Sequence, residues 1–145
     1  MITIIQRVTH AQVCIADQQV GKIGRGIMAL VAIEKQDSEK SAQRLFERIL
    51  NYRIFSDCEN RMNLNLQSIQ GGLLLVPQFT LAADTSSGNR PSFTPAASPE
   101  KGEELFNYFV SHAKFNYPNV EMGQFGADMQ VTLTNDGPVT FTLKV

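Results

Sequence analysis

Cysteine and histidine are scarce in this chain, and their scarcity removes several chemistries. The only cysteines, Cys14 and Cys58, form no CxxC pair and have no companion histidines at zinc-ligand spacing, so they read as neutral thiols. The only histidines, His10 and His112, lie near no Ser, Asp or Cys motif that assembles a triad. Neither HExxH nor the GxxxxGK[ST] phosphate loop is present. The expectation is an enzyme or module with no metal and no cofactor. Charge of one sign is lacking too. A formal net charge of -1 gives no basic field for gripping long nucleic-acid backbones, which argues against DNA as a partner and leaves a small contact with an RNA end open. No apolar run approaches a membrane span, and Met1 to Arg7 does not read as a secretory leader. Cytoplasmic residence, with no membrane partner, is expected.

What is present is enough for one domain over residues 1–145, with 43% hydrophobic residues to build a core. Met1 to Val8 reads as a first strand. Val13 and Ile15, then Val20 and Ile23, flank the polar stretch Ala16 to Gln19 as two short strands around a turn. Ile27 to Ile33 is a continuous apolar run, suited to a strand buried on both faces. From Ser38 to about Tyr52 the spacing turns helical, with Ala42, Leu45, Phe46, Ile49 and Leu50 on one side and Ser38 as N-cap. Gly71-Gly72 introduces a second apolar strand, Leu73 to Leu81. Ala82 to Ala97 has no periodicity, and loops of that length are often functional. Ser98-Pro99 starts a second amphipathic helix to about Phe115, weakened internally by Gly102. Alternation from Met129 to Thr134 and from Val139 to Val145 brackets the turn Asn135-Asp136-Gly137-Pro138, which reads as a closing hairpin. The fold class expected is α+β: a mixed or antiparallel sheet curled like a barrel, two amphipathic helices packed against it, and a terminal β-hairpin.

Three segments are candidates for chemistry. Pro77-Gln78-Phe79-Thr80-Leu81 lies at a buried strand end before the long loop, where a rigid sheet can present amides and side chains; pattern alone favours plain strand alternation with Phe79 and Leu81 in the core. Gly88-Asn89-Arg90-Pro91-Ser92-Phe93 specifies a fixed turn in which Arg90 is able to meet a phosphate, a weakly specific pattern. Gly137-Pro138 joins the residue with the freest torsions to the one type of bond that tolerates cis, although most X-Pro bonds are trans. Thr80 is the most attractive hydroxyl, but the sequence offers it no activating base; backbone amides around Gln78, Phe79 and Thr80 are an alternative means of holding a developing oxyanion.

Six segments, in order, resemble D-aminoacyl-tRNA deacylases: Ile4-Ile5-Gln6-Arg7-Val8, Tyr52-Arg53-Ile54-Phe55-Ser56-Asp57, Met62-Asn63-Leu64-Asn65, Gln78-Phe79-Thr80-Leu81, Gly88 to Phe93, and Asn135-Asp136-Gly137-Pro138-Val139-Thr140. The resemblance spans nearly the whole chain. It implies hydrolysis of the ester between a D-amino acid, or mischarged glycine, and the 3′-terminal ribose of tRNA, as quality control of translation. It implies a homodimer in which Gly137-Pro138, as a cis peptide, enters the partner subunit's pocket, holds the substrate amino group and excludes an L side chain. Gln78, Phe79 and Thr80 then carry catalysis, Arg7 braces the proline turn, and Pro77, Asn89, Pro91, Phe93 and Met129 support the site. Thr80 is either nucleophile or positioning group, and the second is preferred for want of a base. Pro77 departs from the pattern, since the family usually has serine there. A related animal group of tRNA deacylases has proline at that place together with a trans Gly-Pro and looser rejection of L-substrates, whereas Phe79 and the Asn-Asp-Gly-Pro turn match the D-specific enzymes. Two other classes stay open: a non-catalytic RNA-end or protein-interaction module, and a general esterase, disfavoured by the lack of a GxSxG elbow.

Overall fold

The computed structural model describes all 145 residues. Its first strand, β1 (Ile2–Ile15), joins the expected strand from Met1 to Val8 with the short one at Val13 and Ile15, because two irregularities, at Gln6 to Val8 and Val8 to His10, shift the alternation and hide its continuity. The bend lets one strand serve two neighbours. Its first half pairs with β3 (Gly26–Ala32) and its second with β2 (Gln18–Ile23), across a tight turn in which Ala16 and Asp17 both take positive φ.

Strand β3 is buried on nearly its whole length, as its unbroken apolar run demands, and continues into the parallel part of the sheet. There it pairs with β6 (Gly72–Pro77), which pairs in turn with the short β7 (Val120–Met122). Helix α1 (Glu39–Asn51), followed by the small hairpin of β4 (Phe55–Ser56) and β5 (Met62–Leu64), fills the first parallel crossover; helix α2 (Pro99–Asn116) fills the second. Both helices begin where expected. The Ser41 hydroxyl accepts the Ser38 amide at the start of α1, and the Ser98 hydroxyl accepts the Lys101 amide at the start of α2. Leu45, Phe46 and Ile49 of α1 and Phe106, Phe109 and Ala113 of α2 pack on Ile5, Ile27, Ala29, Leu73 and Leu75 of the sheet. Each larger side chain so buried stabilises the fold by roughly 1.5–3 kcal/mol.

The opposite face of the sheet holds a smaller core of Val8, Ala11, Val13, Ile23, Met28, Leu74 and Val76. It is enclosed because the sheet, ordered β2-β1-β3-β6-β7, curls until its ends meet. Gly21 of β2 lies so close to β7 that a Cβ there would stand 2.9 Å from the Met122 carbonyl oxygen. The result is the nearly closed, barrel-like mixed sheet expected from the sequence.

The last strand, β8 (Gln130–Lys144), changes one expected pairing. Both alternating runs and the turn between them are where the sequence places them, but the runs lie against β1 rather than each other, from Cys14↔Gln130 to Ile2↔Lys144. The Asn135 to Val139 turn bulges from one long strand. The exposed edge of β1 was open along its whole length, and pairing with it satisfies more backbone groups than a hairpin of the two runs would. A second expected boundary also shifts: the strand foreseen to Leu81 stops at Pro77, and Phe79–Ala82 forms a 3-10 turn.

One buried polar atom stands out in the larger core. Thr3 is fully buried in β1 and its hydroxyl has no hydrogen-bond partner. Thr3→Val keeps the shape and removes the orphaned group, so it should raise stability by about 1 kcal/mol and Tm by about 2–4 °C. A thermal melt that falls instead would show that the hydroxyl has a partner.

Candidate functional site

A cavity of about 470 Å³ opens at the carboxyl ends of the parallel strands β3 and β6. Crevices at this end of parallel strands are where such sheets characteristically bind ligands. One wall comes from Val31 and Ile33 and from Val76, Pro77, Gln78 and Phe79; facing it are Ala97, Ser98, Pro99 and Gly102 at the start of α2, with Phe125, Met129 and Val131 completing the enclosure. No lining side chain is titratable. The chemistry offered is therefore apolar surface, the Gln78 amide, the Ser98 hydroxyl and backbone dipoles.

Pro77 explains how the wall turns. In β6 the amides of Leu73 and its alternate neighbours face β7, as the bond from Leu73 N to the Asn119 carbonyl records, and β7 ends at Met122, before it could pair with residue 77. A proline there loses no ladder bond. The next amide, Gln78 N, still donates to the Val31 carbonyl at 2.7 Å, and the chain then enters the 3-10 turn. The turn's first bond runs from the Leu81 amide to the Gln78 carbonyl, so the amides of Phe79 and Thr80 lie ahead of its ladder, as is usual at the start of a helical turn. Gln78 Nε2 donates to Thr80 Oγ1 at 2.5 Å, which fixes both side chains at the rim.

The Phe79 ring is 55% exposed and meets Phe93 at 5.1 Å between centroids, so an aromatic pair stands open at the mouth. Phe93 is carried there by the long loop, whose ends are tied by two bonds between Asp84 and Ser92. The Asp84 carboxylate accepts the Ser86 amide, which holds its pKa below the ordinary value. Asn89 and Pro91 lie on the exposed tip of this loop and do not line the cavity. Met129 does line it, and its sulfur accepts the Gln124 amide at 3.3 Å.

Gly137 and Pro138 are exposed and stand apart from their own chain's cavity. Their peptide bond is cis, and Gly137 has φ +152°. The bulge is braced from both sides. Arg7, whose side chain is 12% exposed, donates through Nε to the Asp136 carbonyl at 2.8 Å and through Nη1 to the Ile54 carbonyl at 2.7 Å. Asn135 accepts the Val139 amide at 2.6 Å and donates to Thr140 Oγ1 at 2.9 Å. The structure thus gathers Pro77, Gln78, Phe79 and Met129 around one cavity, with Thr80 and Phe93 at its rim, and gathers Arg7, Gly137 and Pro138 elsewhere. Sequence reasoning missed other parts of the lining, among them Val31, Ile33, Gly102 and Phe125; only Gly102, an unexplained glycine inside a helix, carried a signal.

Comparison with known proteins accords with this geometry. The family model described as D-Tyr-tRNA(Tyr) deacylase matches residues 4–144. A protein of Pseudoalteromonas atlantica named D-aminoacyl-tRNA deacylase is 56% identical over 145 residues, covering all of both chains. One of the same name from Paraburkholderia phytofirmans is 57% identical over 149 residues, covering 99% of this chain and 98% of its own. Among solved structures, one titled c-Myc DNA Unwinding Element Binding Protein superposes with a TM-score of 0.95 at 36% identity, covering 100% of this chain and 99% of the other. A probable eukaryotic D-amino acid tRNA deacylase shares the fold at TM-score 0.86 and 17% identity, with 99% and 98% covered. Matched from near its first residue to near its last, and sharing more than half its residues with full-length relatives, the chain belongs to the D-Tyr-tRNA(Tyr) deacylase family.

Proposed function

We propose that this enzyme hydrolyses the ester joining a D-aminoacyl group, or mischarged glycine, to the 3′-terminal ribose of tRNA, and that it does so in the cytoplasm as quality control of translation. Water adds to the ester carbonyl carbon, the carbonyl oxygen takes up the charge, and the carbon–ribose oxygen bond breaks. Free D-amino acid and tRNA with its hydroxyl restored are the products. The observation that carries this reading is the pair of amides, Phe79 and Thr80, that precede the first bond of the turn at the rim of a cavity without titratable side chains. Two such donors suit a developing oxyanion, and one is typically worth about 2.7–4 kcal/mol of barrier. The substrate's terminal 2′-hydroxyl assists the water in place of a protein base.

The working unit in this proposal is a homodimer. The exposed Gly137-Pro138 turn of one protomer enters the cavity of its partner, where its carbonyls hold the substrate amino group and leave no room for an L side chain. What supports this is that the turn protrudes from β8, is braced by Arg7 and Asn135, and has no place in its own chain's cavity. The open Phe79–Phe93 pair suits the flat faces of an unpaired RNA end.

Purified protein should release D-tyrosine from D-tyrosyl-tRNA without added metal or nucleotide; absence of turnover, with a working control enzyme, would overturn the proposal. Tight binding to the same tRNA without hydrolysis would point instead to a non-catalytic RNA-end module. Thr80→Ala separates the two roles of the threonine. Retention of kcat to within about tenfold is expected, because the amide of residue 80 survives the change, whereas loss of an activated nucleophile would cost on the order of 10⁴-fold or more.

A further inference from the structure

Gly102 sits in the first turn of a long helix, its amide donating to the Ser98 carbonyl at 2.8 Å, a place where glycine is a poorer helix former than alanine. Its backbone does not require glycine, since it has no positive φ. The reason is spatial. A Cβ at residue 102 would stand 3.0 Å from Phe125 Cζ and 3.4 Å from Phe125 Cε2, and apart from the adjacent backbone of its own helix it would meet no other heavy atom within 4 Å. The Phe125 ring extends along the same face of α2 to Phe106, one turn on, with 6.4 Å between ring centroids. Gly102 and Phe125 both line the cavity.

Phe125 is held by no regular element. It lies in the segment between β7 and β8, just before Gly126 with φ +74°, in a stretch pinned by the bond from the Gln124 amide to the Met129 sulfur. Such a ring takes its position from what it rests on. We infer that Gly102 is a positioning residue for the reaction: its missing side chain lets the tip of the Phe125 ring rest close against α2, and this seat sets the width of the cavity for the aminoacylated RNA end. The inference rests on the reading of this cavity as the substrate site.

The helix and the cavity want opposite things at residue 102, and that opposition supplies the test. Gly102→Ala favours the helix but forces the ring edge away by a few tenths of an ångström, and Gly102→Val puts further carbons into the lining. The expected result for Gly102→Ala is a Tm unchanged or raised, a KM for D-tyrosyl-tRNA raised about tenfold, and kcat within about twofold; Gly102→Val should raise KM further. A non-hydrolysable, amide-linked D-tyrosyl-tRNA should lose affinity by the same factors. In a Phe125→Leu background, the effect of alanine at residue 102 on KM should largely vanish, because the ring it displaces is gone. Wild-type activity with an unchanged KM and affinity in both Gly102 variants would overturn the positioning role alone, as would additive effects at 102 and 125. A wild-type enzyme that neither hydrolyses D-tyrosyl-tRNA nor binds the amide would overturn the reading of the cavity and this inference with it.

Discussion

Gly137→Ala should lower kcat/KM toward D-tyrosyl-tRNA by about a hundredfold and narrow the discrimination against L-tyrosyl-tRNA, while the protein stays folded; the rate loss alone corresponds to about 2.7 kcal/mol. The backbone at this residue has φ +152°, a conformation that residues with a side chain rarely adopt. The added methyl would also stand 2.6 Å from Val139 Cγ2, 2.8 Å from the Val139 amide nitrogen and 3.3 Å from Arg7 Nη2. Backbone on one side and a doubly anchored guanidinium on the other leave the turn no small adjustment. It must change path, and the carbonyls proposed to meet the substrate amino group move with it. The fold is largely spared because Gly137 and Pro138 are exposed on a bulge between residues paired with Gln6 and Val8, so strain of roughly 1–3 kcal/mol falls there and reaches the core only through the buried Val139 side chain. Parallel kinetics on D- and L-tyrosyl-tRNA, with a urea transition on the same preparation, check both halves. A variant that keeps wild-type rate and selectivity would remove this turn from the substrate site.

The protruding turn was legible as a turn, while its neighbours were not. Alternation in residues 129–134 and 139–145 is the same whether the two runs pair with each other or both pair with β1, and only the length of β1 decides. That length was itself masked by the irregularities between Gln6 and His10, which break the period on which strand reading depends. The helices had no such ambiguity, because Ala42 to Leu50 and Leu105 to Ala113 keep helical spacing and each helix has its serine cap. β7 has three residues, too few to show any period.

The site divides in the same way. Gln78, Phe79 and Thr80 could be located by motif, but the stop at Pro77 converts an apparent strand alternation into a turn with an exposed aromatic. Val31 and Ile33 belong to a run so uniformly apolar that nothing marks which residues reach a cavity. Phe125 lies in a stretch without regular structure, and its partnership with Gly102 is a contact across the fold that no local pattern encodes.

Arg7→Met should damage both stability and catalysis, costing about 3 kcal/mol of folding free energy and about a hundredfold in kcat/KM. The Arg7 side chain is 12% exposed and ties three parts of the chain together: β1, the buried Ile54 ahead of β4, and the turn after Asn135. Methionine fills the space of the stem but donates nothing, so the carbonyls of Ile54 and Asp136 each lose their arginine donor, at about 1–3 kcal/mol for a group left unsatisfied away from water. The Asp136 carboxylate, 3.4 Å from Arg7 Nε, loses its counter-charge as well, a smaller effect because that side chain is 42% exposed. Arg7→Lys should recover only part of either loss, since a single ammonium on a flexible stem does not reproduce a planar fork that reaches two carbonyls. Because Arg7 and Gly137 act through the same turn, their effects should not add. With Arg7 already replaced, the turn is loose, and alanine at 137 has less order left to destroy, so the double variant should be less impaired than the product of the single losses. Urea unfolding and steady-state kinetics on the four proteins of that cycle measure the coupling, and strictly multiplicative losses in kcat/KM would mean that Arg7 supports the fold without bracing the turn.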